Sequence, residues 1–220
     1  MKNLKALLGL DFKMVAPYWK WWLMFLGIAL FMSLINRDGG LFILFMAMFG
    51  MTMMAFPFEV TEKSNLDVLF ATLPSNRKSI LAARYIYILL MLLVIIVISV
   101  PVGIIIHAAF GNTLSASGFA IITFFSAAVF LVCAGVQTPF MYKYGYKKGR
   151  IFMWIPLIVF ILVFNLPGIF DLFNMDIEFN IFEILFRNTA ATILISIGVG
   201  ALAYTLSFLA SRKVYLKKDF

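Results

Sequence analysis

Residues 85–142 read YIYILLMLLVIIVISVPVGIIIHAAFGNTLSASGFAIITFFSAAVFLVCAGVQTPFMY, without one Asp, Glu, Lys or Arg. A membrane-crossing helix needs about 20 mostly apolar residues, so this run holds two. Gly111, Asn112, Thr113, Ser115, Ser117 and Gly118 form a polar, turn-favouring cluster near its middle that separates them. Residues 89–100 are apolar on every side, whereas a barrel strand alternates apolar and polar positions. The fold class is therefore all-α and polytopic.

Outward from this run, residues 21–36, 39–58, 151–170 and 188–211 are also free of charged side chains. Six spans follow, over about 18–36, 40–58, 85–107, 118–140, 151–169 and 188–210 of a single membrane domain covering 1–220. The first begins before Trp21 because Tyr18 and Trp19 suit the interface and Lys20 can snorkel to water. Composition agrees: the 220 residues are 64% hydrophobic and 13% charged, against about 45–50% and about 25% in soluble domains. A soluble monomer and a disordered chain are excluded, and the single Cys133 excludes a disulfide scaffold.

Charge sets the orientation. With the N-terminus inside, all Lys and Arg except Arg37 and Arg187 fall on the cytoplasmic side. Asp38, Asp171, Asp176, Glu178 and Glu183 fall outside. Short loops rich in Lys and Arg stay inside, which predicts N-in and C-in. Trp19, Trp21, Trp22 and Trp154 then lie at the inner interface. The net charge of +8 thus reads as contact with membrane lipid and not with nucleic acid.

Ahead of the first span, Leu4, Leu7, Leu8, Phe12 and Val15 recur at helical spacing while Lys2, Lys5 and Lys13 gather opposite. Residues 1–17 are expected to form an amphipathic interfacial helix ending at Pro17. Asp11 falls on its apolar face, where it either pairs with a Lys or Arg of the same chain or contacts a partner subunit. No small-x-small cleavage site follows the first apolar run, so that run is expected to be a permanent anchor.

Catalytic and metal-ligating constellations are missing from the pattern. No Asp, Glu, Lys or Arg lies deep in a span, where ion-coupled transporters carry them. His107 lies near the outer end of the third span, where it is either interfacial or part of a proton relay. Cys133 has no thiol or histidine near it in sequence to build a zinc site or a Cys–His pair. Ser99, Ser126 and Ser196 lack an evident base and suit hydrogen bonds within or between helices. The G-x-x-x-x-G-K-[ST] loop that cradles nucleotide phosphates does not occur. Any ATPase driving this chain is a separate polypeptide.

The inner loop 59–84 carries the most information. Ser64 with Asp67 three residues on is an N-cap pattern, Leu66, Leu69, Phe70 and Leu73 follow at i, i+3, i+4 and i+7, and Pro74 closes the segment. Such a short amphipathic helix fits a groove on a cytoplasmic partner; it equally fits packing on its own helices or lying in the headgroups. Five methionines and five phenylalanines between Phe42 and Phe58 make the second span rich in adaptable surface, suited either to amphipathic cargo or to helix packing. Three classes of function remain: a permease subunit, a non-transporting scaffold or sensor that docks a cytoplasmic regulator, and a membrane enzyme acting on lipid.

Glu59, Glu62, Lys63, Asp67, Leu73, Pro74, Ser75, Arg77, Lys78 and Arg84, in this order ahead of a span, resemble the corresponding loop of ABC-2 type ATP-driven exporter permeases. The chain is similar to the small six-helix permeases of bacterial peptide and antimicrobial exporters, including those for phenol-soluble modulins, and its ending at Lys217, Lys218, Asp219 and Phe220 looks like theirs. The resemblance implies a bacterial cell-membrane exporter with the interfacial helix as elbow. Glu59, Glu62, Leu66, Asp67, Leu69, Phe70 and Leu73 would then couple to the ATPase. It further implies two permease copies on two cytoplasmic ATPase subunits, with no cofactor on this chain and ATP and Mg on the partner. The cargo would be an amphipathic peptide or another hydrophobic compound. Residues 166–187 would form either re-entrant helices, as in the family, or a plain exposed loop.

Overall fold

The computed structural model describes residues 2–64, 66, 77–111, 115–149, 158 and 188–216. Every regular element among them is a helix: α1 (Lys2–Val15), a 3-10 turn (Ala16–Tyr18), α2 (Trp19–Asn36), α3 (Gly39–Met53), α4 (Phe56–Lys63), α5 (Arg77–Ala109), α6 (Ala116–Gly149) and α7 (Thr189–Leu216). Five stretches of the described residues are long and apolar enough to cross a membrane: Lys5–Asn36, Gly39–Lys63, Lys78–Ala109, Ala116–Gly149 and Thr189–Tyr215. They carry the expected spans 18–36, 40–58, 85–107, 118–140 and 188–210. The expected span 151–169 lies outside the described residues, apart from Ile158.

Local chemistry sets the helix ends. Pro17, which cannot donate a backbone hydrogen bond, sits in the 3-10 turn between α1 and α2. α2 stops where Arg37 takes a left-handed conformation (φ 54°). Asp38 is extended and its carboxylate accepts the Gly40 N–H at 2.8 Å, capping α3. α3 and α4 are separated only by Met54 and Ala55, with Pro57 in the first turn of α4. The chain thus stays helical beyond the last charge-free position, Phe58, out to Lys63.

Small residues decide which helices touch. Gly39 lies directly on Gly103, where a β-carbon would overlap the Gly103 carbonyl, so α3 and α5 cross backbone to backbone. Gly200 of α7 sits against Ala128 and Leu131 of α6. Gly103, four residues after Ser99, and Gly200, four after Ser196, therefore pack within the chain. α6 and α7 share the most extensive helix contact, α3 packs between α5 and α6, and α2 leans mainly on α3.

Two apolar cores result. One, in the body of the bundle, gathers Phe42, Met46, Met51, Tyr87, Met91, Ile95 and Phe130. The Met- and Phe-rich second span is largely committed to it, so Met46, Met51, Met53 and Met54 are packing residues buried from lipid. The other core, formed by Leu7, Met14, Phe58, Leu81, Tyr142 and Tyr215, ties α1, α4, α5, α6 and α7 together at one end.

Candidate functional site at the charged end of the bundle

That end holds a buried polar knot inside the second core. The Arg84 Nε donates to Asp11 Oδ1 at 2.8 Å, and both side chains are almost wholly shielded from solvent. A second guanidinium nitrogen donates to Thr61 Oγ1 at 2.7 Å, and the guanidinium carbon lies 4.6 Å from the centre of the Phe58 ring. The Thr61 hydroxyl donates in turn to the Pro57 carbonyl at 2.6 Å. One guanidinium therefore joins α1, α4 and α5. An ion pair out of water holds only when both charges are matched by partners, and the apolar face of α1 carries its one acid where Arg84 meets it.

The next residue along α4 turns the other way. The Glu62 carboxylate accepts the backbone N–H of Tyr146, and that of Lys147 at 3.2 Å, both from α6. α6 is broken there, with Gly145 at φ 76° and ψ 172°, a conformation that glycine adopts without strain. Glu59 pairs with Lys63 one turn on along α4, an exposed i, i+4 contact that adds about 0.3–0.5 kcal/mol. α7 is fastened near the same end: the Tyr85 hydroxyl lies 2.7 Å from the Ser207 oxygen and 2.8 Å from that of Ser211, and Tyr204 donates to the Tyr85 carbonyl.

The cavities here are small. One of about 40 Å³ is lined by Phe58, Thr61, Glu62, Arg84, Tyr142 and Tyr146, and a cleft of about 270 Å³ opens between Glu59, Glu62, Lys63, Tyr146 and Lys147. Neither could house a peptide helix. A larger apolar groove of about 820 Å³ runs along α5 and α6 past Val97, Pro101, Ile104, Phe119 and Phe124. At the opposite end His107 stands 3.9 Å from the Asp38 carboxylate and edge-on to Phe119. No group of three His, Cys, Asp or Glu that could hold a metal occurs among the described residues. Cys133 is buried as a free thiol, and Ser126 donates to the Ile122 carbonyl of its own helix.

The family model of ABC-2 family transporter proteins matches residues 6–216. The chain belongs to this family. It is a membrane subunit of an ABC transporter, a multi-pass membrane protein that in a bacterium lies in the plasma membrane. No curated protein and no solved structure matches it. ABC-2 membership implies an ATPase partner, in keeping with a permease that has no phosphate-binding loop of its own.

Among the expected coupling residues of the permease, the structure places Glu59 and Glu62 on α4, at the root of the loop, and Leu66 half-buried against the second core. Asp67, Leu69, Phe70 and Leu73 lie outside the described residues. Asp11 pairs within the chain, with Arg84. Sequence reasoning does not single out Thr61, Gly145 or Tyr146, and it does not join Arg84 to Asp11. The signal for that pair is complementary: one acid on an apolar helix face, and one arginine as the last charge before a long neutral run.

Proposed function

We propose that this permease is the membrane half of an ATP-driven exporter that moves amphipathic peptides or other hydrophobic compounds out of a bacterial cell, and that it is a relative of the phenol-soluble modulin exporter permeases. Two copies pair with two cytoplasmic ATPase subunits that carry ATP and Mg. The chain crosses the membrane six times, N-in and C-in, with α1 as the interfacial elbow and with residues 59–84, from the end of α4 to the start of α5, as the coupling segment.

The observation that carries this reading is the anchoring of α4. The helix leading into the loop is fixed to α1 and α5 through Arg84 and to α6 through Glu62. A push on the loop therefore reaches most of the bundle at once, as a subunit moved by a separate motor requires. The cargo class is supported by span interiors without Asp, Glu, Lys or Arg, which offer no charged partner to an ion. Co-purification of a cytoplasmic ATPase with the tagged permease tests the assignment.

Orientation has its own test. In a Cys133→Ser background, cysteines at Lys147 and at Asp176 are expected to react with an impermeant thiol reagent from opposite sides, 176 in intact cells and 147 only after permeabilisation. Labelling of both in intact cells would overturn the N-in, six-span arrangement.

A further inference from the structure

Glu62 sits among the charges at the root of the coupling loop, yet its carboxylate is turned inward. It accepts two consecutive amides, Tyr146 and Lys147, where α6 restarts after Gly145. These amides open the turn that follows the break, and one carboxylate oxygen accepts both of them, as a charged acceptor does at a helix start. The fit is close: a β-carbon at position 145 would lie 2.9 Å from Glu62 Oε2, so the glycine serves both the left-handed turn and the approach of the acid. α6 in turn carries α7, its most extensive partner.

We infer that Glu62 is a positioning residue, a latch that fixes the terminal turn of α6 to α4 so that displacement of the coupling loop carries α6 and α7 with it. It is not a charge presented to the ATPase. Neighbouring residues of α4 thus hold different helices, Thr61 reaching α5 and α1 through Arg84 while Glu62 reaches α6. The inference rests on reading 59–84 as the coupling loop.

Two substitutions separate a latch from a charge. Glu62→Gln keeps the side-chain length and an acceptor oxygen while losing the charge. Glu62→Asp keeps the charge but is one methylene short of the amides. If the latch is right, Gln is tolerated and Asp is not; a charge contact with the ATPase predicts the reverse.

The first readout is hydrogen exchange on the full chain in lipid nanodiscs. The Tyr146 and Lys147 amides should stay protected in wild type and E62Q, and exchange about tenfold faster or more in E62D and E62A. The second readout uses inside-out vesicles containing the permease and its ATPase, with a labelled amphipathic helical peptide as probe. Peptide moved per ATP hydrolysed should remain near wild type in E62Q and fall about tenfold in E62D and E62A while hydrolysis continues. A merely structural defect would lower hydrolysis and transport together and leave their ratio unchanged, which would overturn the inference. So would an E62D that couples normally beside an E62Q that does not, or equal exchange at both amides in all four proteins. A wild-type permease that neither binds nor stimulates the ATPase would overturn the proposed function instead, and the exchange measurement would still decide whether the latch exists.

Discussion

Arg84→Met is expected to destabilise the permease by about 3–5 kcal/mol, because it leaves the Asp11 carboxylate buried with no counter-charge. Arg84 also donates to Thr61 and covers the Phe58 ring, so three contacts end with one substitution. Thr61 itself stays satisfied, since its hydroxyl donates to the Pro57 carbonyl. The cost is therefore concentrated on Asp11. The double variant Asp11→Leu with Arg84→Met removes both charges and fills the site with apolar atoms, and should recover most of the loss. Denaturant unfolding in detergent micelles, followed by tryptophan fluorescence, measures both. Wild-type stability in R84M would show that water reaches Asp11 and that the knot does not hold α1 to α5.

The second large effect belongs to the loop itself. Leu69→Ala with Phe70→Ala is expected to weaken association with the ATPase about ten- to a hundredfold, because burying one large apolar side chain contributes roughly 1–3 kcal/mol. Both positions lie outside the described residues, and the expectation rests on the helical spacing of Leu66, Leu69, Phe70 and Leu73 just beyond α4. Insertion should be unaffected, since neither position falls in a proposed span. Asp67→Asn should do less, an exposed cap being worth about 0.5–2 kcal/mol. ATPase retained on the immobilised permease after washing is the quantity to compare at matched expression. Equal retention by wild type and the double variant would show that these two side chains do not carry the association.

The helices are legible in the sequence because their cause is local. Charge-free runs mark the apolar bodies, and Pro17 and the polar cluster opening at Gly111 mark where α1 and α5 give out. Helix ends are less legible: α5 begins at Arg77, well before the neutral run opens at Tyr85, because its charges are satisfied in place, Arg84 by Asp11 and Lys78 at the exposed surface. The knot is half legible. Asp11 is out of place on an apolar face and needs a partner, but that partner is 73 residues away and only the packing of α1 on α5 selects Arg84. Gly145 gives no signal, since a lone glycine between two tyrosines suggests neither a break in α6 nor an acid seated against it. The small-residue pairs are ambiguous because close approach within a chain and between chains asks for the same side chains, and Gly103 and Gly200 turn out to face helices of their own chain.

In the proposed reading, this ABC-2 family member is the membrane half of a motor whose ATPase acts through α4 and the loop that follows it. The most direct measurement is ATP hydrolysis by the co-purified ATPase in vesicles, with and without the permease, alongside uptake of a labelled amphipathic peptide into inside-out vesicles. Hydrolysis is predicted to rise when wild-type permease is present and peptide uptake to depend on ATP, with both effects lost in the Leu69→Ala, Phe70→Ala double variant. Hydrolysis indifferent to the permease, or uptake unchanged in a correctly inserted double variant, would contradict the claim.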